Sequence, residues 1–173
     1  MNEEKVKKEI YCYTDGACSY NPGVGGYGIV FLDSKQKILS AYYGGEAYTT
    51  NNRMELTAVI EAVNLAKSHG INKINIFSDS AYVVEAYNKN WIRNWINKGW
   101  VTSSKQPVKN KDLWKKFLDC SNDVEIIMQK VKGHSGEKFN ELVDSLAVKA
   151  CQDIEMENLT GGATYNVSLP KNK

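Results

Sequence analysis

The sequence predicts an α/β protein, with a mixed five-stranded sheet (three antiparallel strands, then parallel ones) and helices on its faces. Three observations carry this. Three apolar runs rich in β-branched and aromatic residues, joined by short linkers, lie near the N-terminus, the pattern of a meander. Beyond them, stretches with apolar residues at helical spacing alternate with short apolar runs, the order of βα units. The 173 residues, 42% hydrophobic and 24% charged, suit one domain that buries about two thirds of its unfolded surface.

Residues 10–18 read as the first strand. Its apolar run, Ile10-Tyr11-Cys12-Tyr13-Thr14, stops at Asp15, where Gly16 lets the backbone turn sharply. Asn21-Pro22-Gly23 is a turn signal, and strands follow at 27–32 and 38–43. Asn51 or Asn52 can cap a helix with Leu56, Val59, Ile60 and Val63 on one face, ending near Gly70 with His69 as a cap residue. A buried strand at 73–78 leads into a helix after Asp79. The spacing predicts a helix over 91–98, a polar loop to Gln106-Pro107 and a helix from Asn110. The strand Val124–Met128 precedes a glycine-containing loop, 132–136. The last helix carries Phe139, Leu142, Val143, Leu146, Ala147 and Ala150 on one stripe. Residues 1–156 read as the domain and 157–173 as a polar tail, either loose or adding a short edge strand.

No run of about 18 apolar residues exists, which excludes a spanning helix, and the N-terminus lacks the apolar core of a secretory signal. A cytoplasmic, monomeric protein is expected. Cys12, Cys18, Cys120 and Cys151 form no CxxC pair and read as reduced thiols. The net charge of +2 conceals an asymmetry: 89–116 holds eight basic residues and one acid, Asp112, so the remainder is acidic. All four tryptophans, Trp91, Trp95, Trp100 and Trp114, fall in that stretch. Basic residues interleaved with aromatics suggest a nucleic-acid surface. One or two of these rings are also expected to pack on the domain.

Four carboxylates stand out: Asp15, Glu55, Asp79 and Asp144 lie at element ends or core borders, where an uncompensated acid is costly. Each has an ordinary explanation. Asp15 could form a turn. Glu55, in the first helical turn, could answer the helix dipole and pair with Arg53. Asp79 could cap a helix and Asp144 could be solvated. Together they would repel if they converged, which points to a divalent cation. His134, in the loop before the last helix, is an incidental surface residue unless that site lies beside it. The glycine-rich stretch 23–28 is not a dinucleotide loop, because strand residues rather than a helix follow it.

These blocks in order resemble bacterial type 1 ribonuclease H from about Ile10 to Ala150: Thr14-Asp15-Gly16, Asn21-Pro22-Gly23 with Gly25-Gly26-Tyr27-Gly28, Thr49-Thr50-Asn51-Asn52-Arg53-Met54-Glu55-Leu56, Ser78-Asp79-Ser80, Lys132-Gly133-His134-Ser135-Gly136, then Asn140 and Asp144. The resemblance implies metal-dependent endonucleolytic hydrolysis of RNA in an RNA–DNA hybrid, leaving 5′-phosphate and 3′-hydroxyl ends. It gives Asp15, Glu55, Asp79 and Asp144 the place of the metal-binding acids, for two Mg²⁺ ions (or Mn²⁺) bridged by Asp15, and His134 that of the loop histidine. Gly16, Cys18, Asn21, Asn51 and Asn52 match residues lining the hybrid's minor groove. Thr50 with Asn110 matches a pocket for a DNA-strand phosphate, and the region from Trp91 and Trp95 to Lys111 a basic protrusion gripping that strand. Ala81 departs from relatives that place Gln there. Nine residues before the first strand leave no room for the family's N-terminal hybrid-binding module, so little processivity is expected. The rivals are a non-catalytic hybrid-binding module and a transposase-type domain.

Overall fold

In a computed structural model of the chain, residues 8–133 and 137–169 are described. Strands β1 (Glu9–Cys18), β2 (Gly23–Leu32) and β3 (Ile38–Thr49) form an antiparallel meander, and β4 (Lys73–Ser78) and β5 (Glu125–Lys130) extend it in parallel beyond β1. Helices α1 (Asn51–Ser68), α2 (Ala81–Asn88), α3 (Trp91–Asn97), α4 (Lys111–Ser121) and α5 (Lys138–Glu155) complete the expected α/β architecture. The sheet order is β5-β4-β1-β2-β3-β6.

The sixth strand, β6 (Thr164–Asn166), comes from the segment read as a tail and pairs antiparallel with β3. Of the two alternatives left open, the edge strand is the one present. The buried Tyr27 hydroxyl, 2.6 Å from Thr164 Oγ1, holds it to the sheet, and Thr164 donates in turn to Glu61 at 3.1 Å. Val167 and Leu169, just beyond β6, also pack against the core cluster that contains Tyr13 and Val30.

Alternation along the strands divides the core between two faces. Cys12, Ile29, Phe31 and Ile76 pack under α1, α2 and α4, while Tyr13, Val30 and Leu32 face Val143 and Leu146 of α5. Covering both faces explains why β2 from Gly25 to Leu32 is buried without a break. It also explains why β2 starts at Gly23, four residues before the expected position. At Gly26 a Cβ would lie 2.3 Å from the Ala147 carbonyl oxygen, so glycine admits α5 here rather than ending the strand.

Two local expectations are corrected likewise. β1 ends at Cys18, as the 10–18 span predicts, but it does not stop at Asp15, which pairs with Gly28 inside the strand. Gly16 does not turn the chain. It removes a side chain whose Cβ would meet Glu55 N of α1 at 2.5 Å. The α1 cap is Thr50, whose hydroxyl accepts from Arg53 N at 3.2 Å, rather than Asn51 or Asn52. His69 closes α1 as expected. All four cysteines are free thiols, and burial pushes the Cys12 thiol well up. Among the described residues, no helix is long and apolar enough to cross a membrane.

Candidate active site

Asp15 is delivered by the centre of the sheet, where β1 lies between β2 and β4. Glu55 is the fifth residue of α1, beyond the first turn, so the dipole explanation for an acid there does not apply. Its expected partner is also engaged elsewhere, because Arg53 donates to both oxygens of Asp112 at 2.9 and 2.7 Å. Asp79 sits between the end of β4 and Ser80, and Ser80 supplies the α2 cap by accepting from Val83 N. The local roles that explained Glu55 and Asp79 separately are thus filled by other residues.

One carboxylate oxygen from each of Asp15, Glu55 and Asp79 lies within 4.8 Å of the others. Asp15 is 3% exposed, and burial followed by repulsion from Asp79 lifts its carboxyl to about 8. Glu55 is raised well above the ordinary carboxylate range, again by burial first and then by Asp15. Its Oε2 is shielded from solvent and has no hydrogen-bond partner. A buried carboxyl oxygen without a partner in an all-oxygen cluster is a fit for a hard divalent cation. Asp144 lies outside the tight triad but lines the same open depression, of about 470 Å³. Gly133, where a Cβ would stand 3.0 Å from Asp79 Oδ2, brings the start of the following loop against the site. His134 itself lies outside the described residues.

The expected substrate residues fall into three groups. Gly16, Cys18, Asn51 and Asn52 line the depression beside the acids. Asn21 does not line it; its Oδ1 accepts from Asn51 N at 3.1 Å, fixing the β1–β2 turn to the start of α1. Thr50 spends its hydroxyl on the helix cap, and Asn110 bonds Arg53 and Tyr82. The tryptophans are mainly a packed cluster. Trp114 is fully buried, while the half-buried Trp91 and Trp95 touch each other and Trp95 also touches Trp100 and Trp114. Around them Arg93, Lys98, Lys105, Lys109 and Lys111 are exposed. Trp100 holds φ 65°, a strained conformation for a bulky residue, at the base of this basic loop.

Sequence reading missed Tyr82, which lines the depression, and Arg53 as a partner of Asn110. Tyr82 lies three residues after Asp79, in the first turn of α2, and that proximity is the signal that could have found it.

A family model of RNase H matches residues 7–152. A relative named Ribonuclease H, from Syntrophomonas wolfei subsp. wolfei, is 47% identical over 147 residues, 85% of this chain and 99% of that protein. Among solved structures, LC9-RNase H1, described as a type 1 RNase H with the type 2 active-site motif, is 28% identical with a TM-score of 0.77, covering 87% of this chain and 75% of that one. LC11-RNase H1, solved in complex with an RNA/DNA hybrid, shares the fold at 24% identity and a TM-score of 0.63, over 82% of this chain and 98% of that one. With the family model spanning most of the chain and a close relative matched almost end to end, this chain belongs to the ribonuclease H family of enzymes.

Proposed function

We propose that this protein hydrolyses the RNA strand of RNA–DNA hybrids by a two-metal-ion mechanism, leaving 5′-phosphate and 3′-hydroxyl ends. The observation that carries it is the convergence of Asp15, Glu55 and Asp79 within 4.8 Å, with the groups that act on Asp15 being other carboxylates and burial. Asp15, Glu55 and Asp79 would hold one Mg²⁺, and Asp15 with Asp144 a second. Bound divalent ions supply an activated water and charge stabilisation of the departing oxygen.

The chain's own residues do the rest. Gly16, Cys18, Asn51 and Asn52, which line the depression, would meet the shallow minor groove, where 2′-hydroxyls distinguish RNA. Thr50 and Asn110 would take a DNA-strand phosphate. The exposed lysines and arginine around the tryptophan cluster would neutralise further phosphates, making affinity depend on salt rather than base sequence. His134 would assist proton movement or product release.

A labelled RNA offered as a single strand, an RNA duplex and an RNA–DNA hybrid, with Mg²⁺ or with EDTA, tests this. Cleavage is expected for the hybrid alone and only with the metal. Tight hybrid binding without cleavage would favour a non-catalytic module instead.

Stability should report the same cluster. Burial and the neighbouring Asp79 hold the Asp15 carboxyl at about 8 in the folded protein, well above the ordinary carboxylate range of the unfolded chain. The folded protein therefore binds a proton that the unfolded chain releases, and this contribution is lost as pH rises through that interval. Without metal, the melting temperature should fall between about pH 4 and 8. Millimolar Mg²⁺ should recover it at the alkaline end. Thermal melts across that range, with and without Mg²⁺, check both signs.

A further inference from the structure

A groove of about 730 Å³, larger than the acidic depression, opens between the end of α2 and the helices α3 and α4. Trp91 and Trp95 turn one face of α3 to the tryptophan cluster. Ile92 and Ile96, each one position further and therefore about 100° round the helix, line the groove instead. Ile96 is 47% exposed, and Phe117 and Leu118 of α4 complete the apolar floor.

The polar part of the lining is one-sided in charge. Arg93 is its cation, and no Asp or Glu stands with it. In the two cavities lined by Lys116, by contrast, Glu61 is present as well. The Arg93 guanidinium has no hydrogen-bond or ion-pair partner among the described residues. Counted above with the phosphate-neutralising cations, it lines this groove and not the acidic depression. Asn90 and Asn97 add two carboxamides, also without partners among the described residues. Asn90 holds the cap position of α3 with φ 57° but makes no side-chain capping bond, although asparagine is a strong capping residue.

These features select an occupant. A nucleic-acid strand calls for exposed aromatic faces and several cations. Here the walls are aliphatic, Phe117 is buried and the cation is single. An acyl chain would cover the carboxamides without pairing them, which is costly, whereas a peptide main chain pairs with them. Ile92 and Ile96 are about 6 Å apart along α3. Alternate side chains of an extended strand are about 6.6 Å apart, a close match. We propose that this groove binds an extended segment of a partner protein. Apolar side chains at alternate positions rest on Ile92 and Ile96, and an Asp or Glu carboxylate pairs with Arg93. This binding is independent of hybrid cleavage.

Panning a phage-displayed library of random heptapeptides on the full chain tests this, with Ile96→Glu for counter-selection. Ile96 is exposed, so the variant should keep its circular dichroism and cleave hybrids like wild type. Enriched peptides should share apolar side chains two positions apart and one nearby carboxylate. A synthetic enriched peptide, followed by fluorescence anisotropy, should bind Ile96→Glu and Arg93→Glu at least about tenfold more weakly than wild type. Exchanging its acid for Lys should weaken binding to wild type and restore binding to Arg93→Glu, which a merely structural arginine would not allow. No enrichment, enriched peptides lacking a carboxylate, equal binding to Ile96→Glu, or no recovery on charge exchange would each overturn the inference. Displacement of the peptide by a single-stranded oligodeoxynucleotide would overturn it as well, and assign the groove to nucleic acid.

Discussion

Asp15→Asn is expected to lower hybrid cleavage by at least about a thousandfold, because on the proposed mechanism it would remove the ligand shared by two ions and forfeit several kcal/mol of transition-state stabilisation. The same variant should melt at a higher temperature than wild type in the absence of metal at pH 8. This opposite movement follows from the site. Asp15 is 3% exposed and is destabilised as an anion by burial and by Asp79. Asparagine fills the same volume without the charge. A purely structural residue would lose stability and activity together. Turnover measurements paired with metal-free thermal melts separate the two cases, and wild-type activity in Asp15→Asn would remove the metal-bridging role.

Gly16→Ala should cause the second large loss, through packing alone. The added methyl would meet the backbone of α1 at Glu55 N and Met54 C, 2.5 and 2.6 Å away, and backbone cannot swing aside as a side-chain tip can. Relief requires α1 to move away from β1, which costs roughly 1–3 kcal/mol or more of stability. Because Glu55 rides on α1 and Asp15 on β1, the same movement separates two carboxylates of the triad. A displacement on the order of 1 Å at such a site is worth about a hundredfold in rate. Activity should therefore fall further than the drop in melting temperature accounts for at an assay temperature where the variant remains folded. Unchanged kinetics would show that the close approach is not needed.

Gly16 also shows where sequence reading stops. An interior glycine beside an acid reads as a turn, because conformational freedom is the local property of glycine. Its use here is the absence of a side chain facing a helix that starts 35 residues later, which no local pattern encodes. The start of β2 was displaced for the same reason, since Gly25 and Gly26 weaken strand propensity while Gly25 leaves room for Thr49 and Met54 and Gly26 lets α5 pack closely. Elements with regular apolar spacing, such as α1, β4 and α5, were legible because periodicity and burial are one signal seen twice.

At the site, the acids were legible as a set because each was costly in its local setting. Their convergence was not, since it depends on the parallel pairing of β1 with β4 and on α1 crossing β1. The tryptophans were half legible. Their basic company marked the surface, but composition cannot separate the buried Trp114 from the half-buried Trp91 and Trp95. Arg53 was assigned to Glu55 on sequence proximity, whereas the fold brings it to Asp112 and Asn110 across α1 and α4.

Binding of Mn²⁺ followed by electron paramagnetic resonance, comparing wild type with Asp15→Asn at equal protein concentration and pH 8, reaches the carboxylate cluster without the intervention of substrate. Wild type should remove free Mn²⁺ from the spectrum in proportion to protein, and the variant should leave it nearly all free while retaining its circular dichroism. Equal Mn²⁺ uptake by the two folded proteins would mean that the cation does not bind through Asp15, and the account of the site would fail.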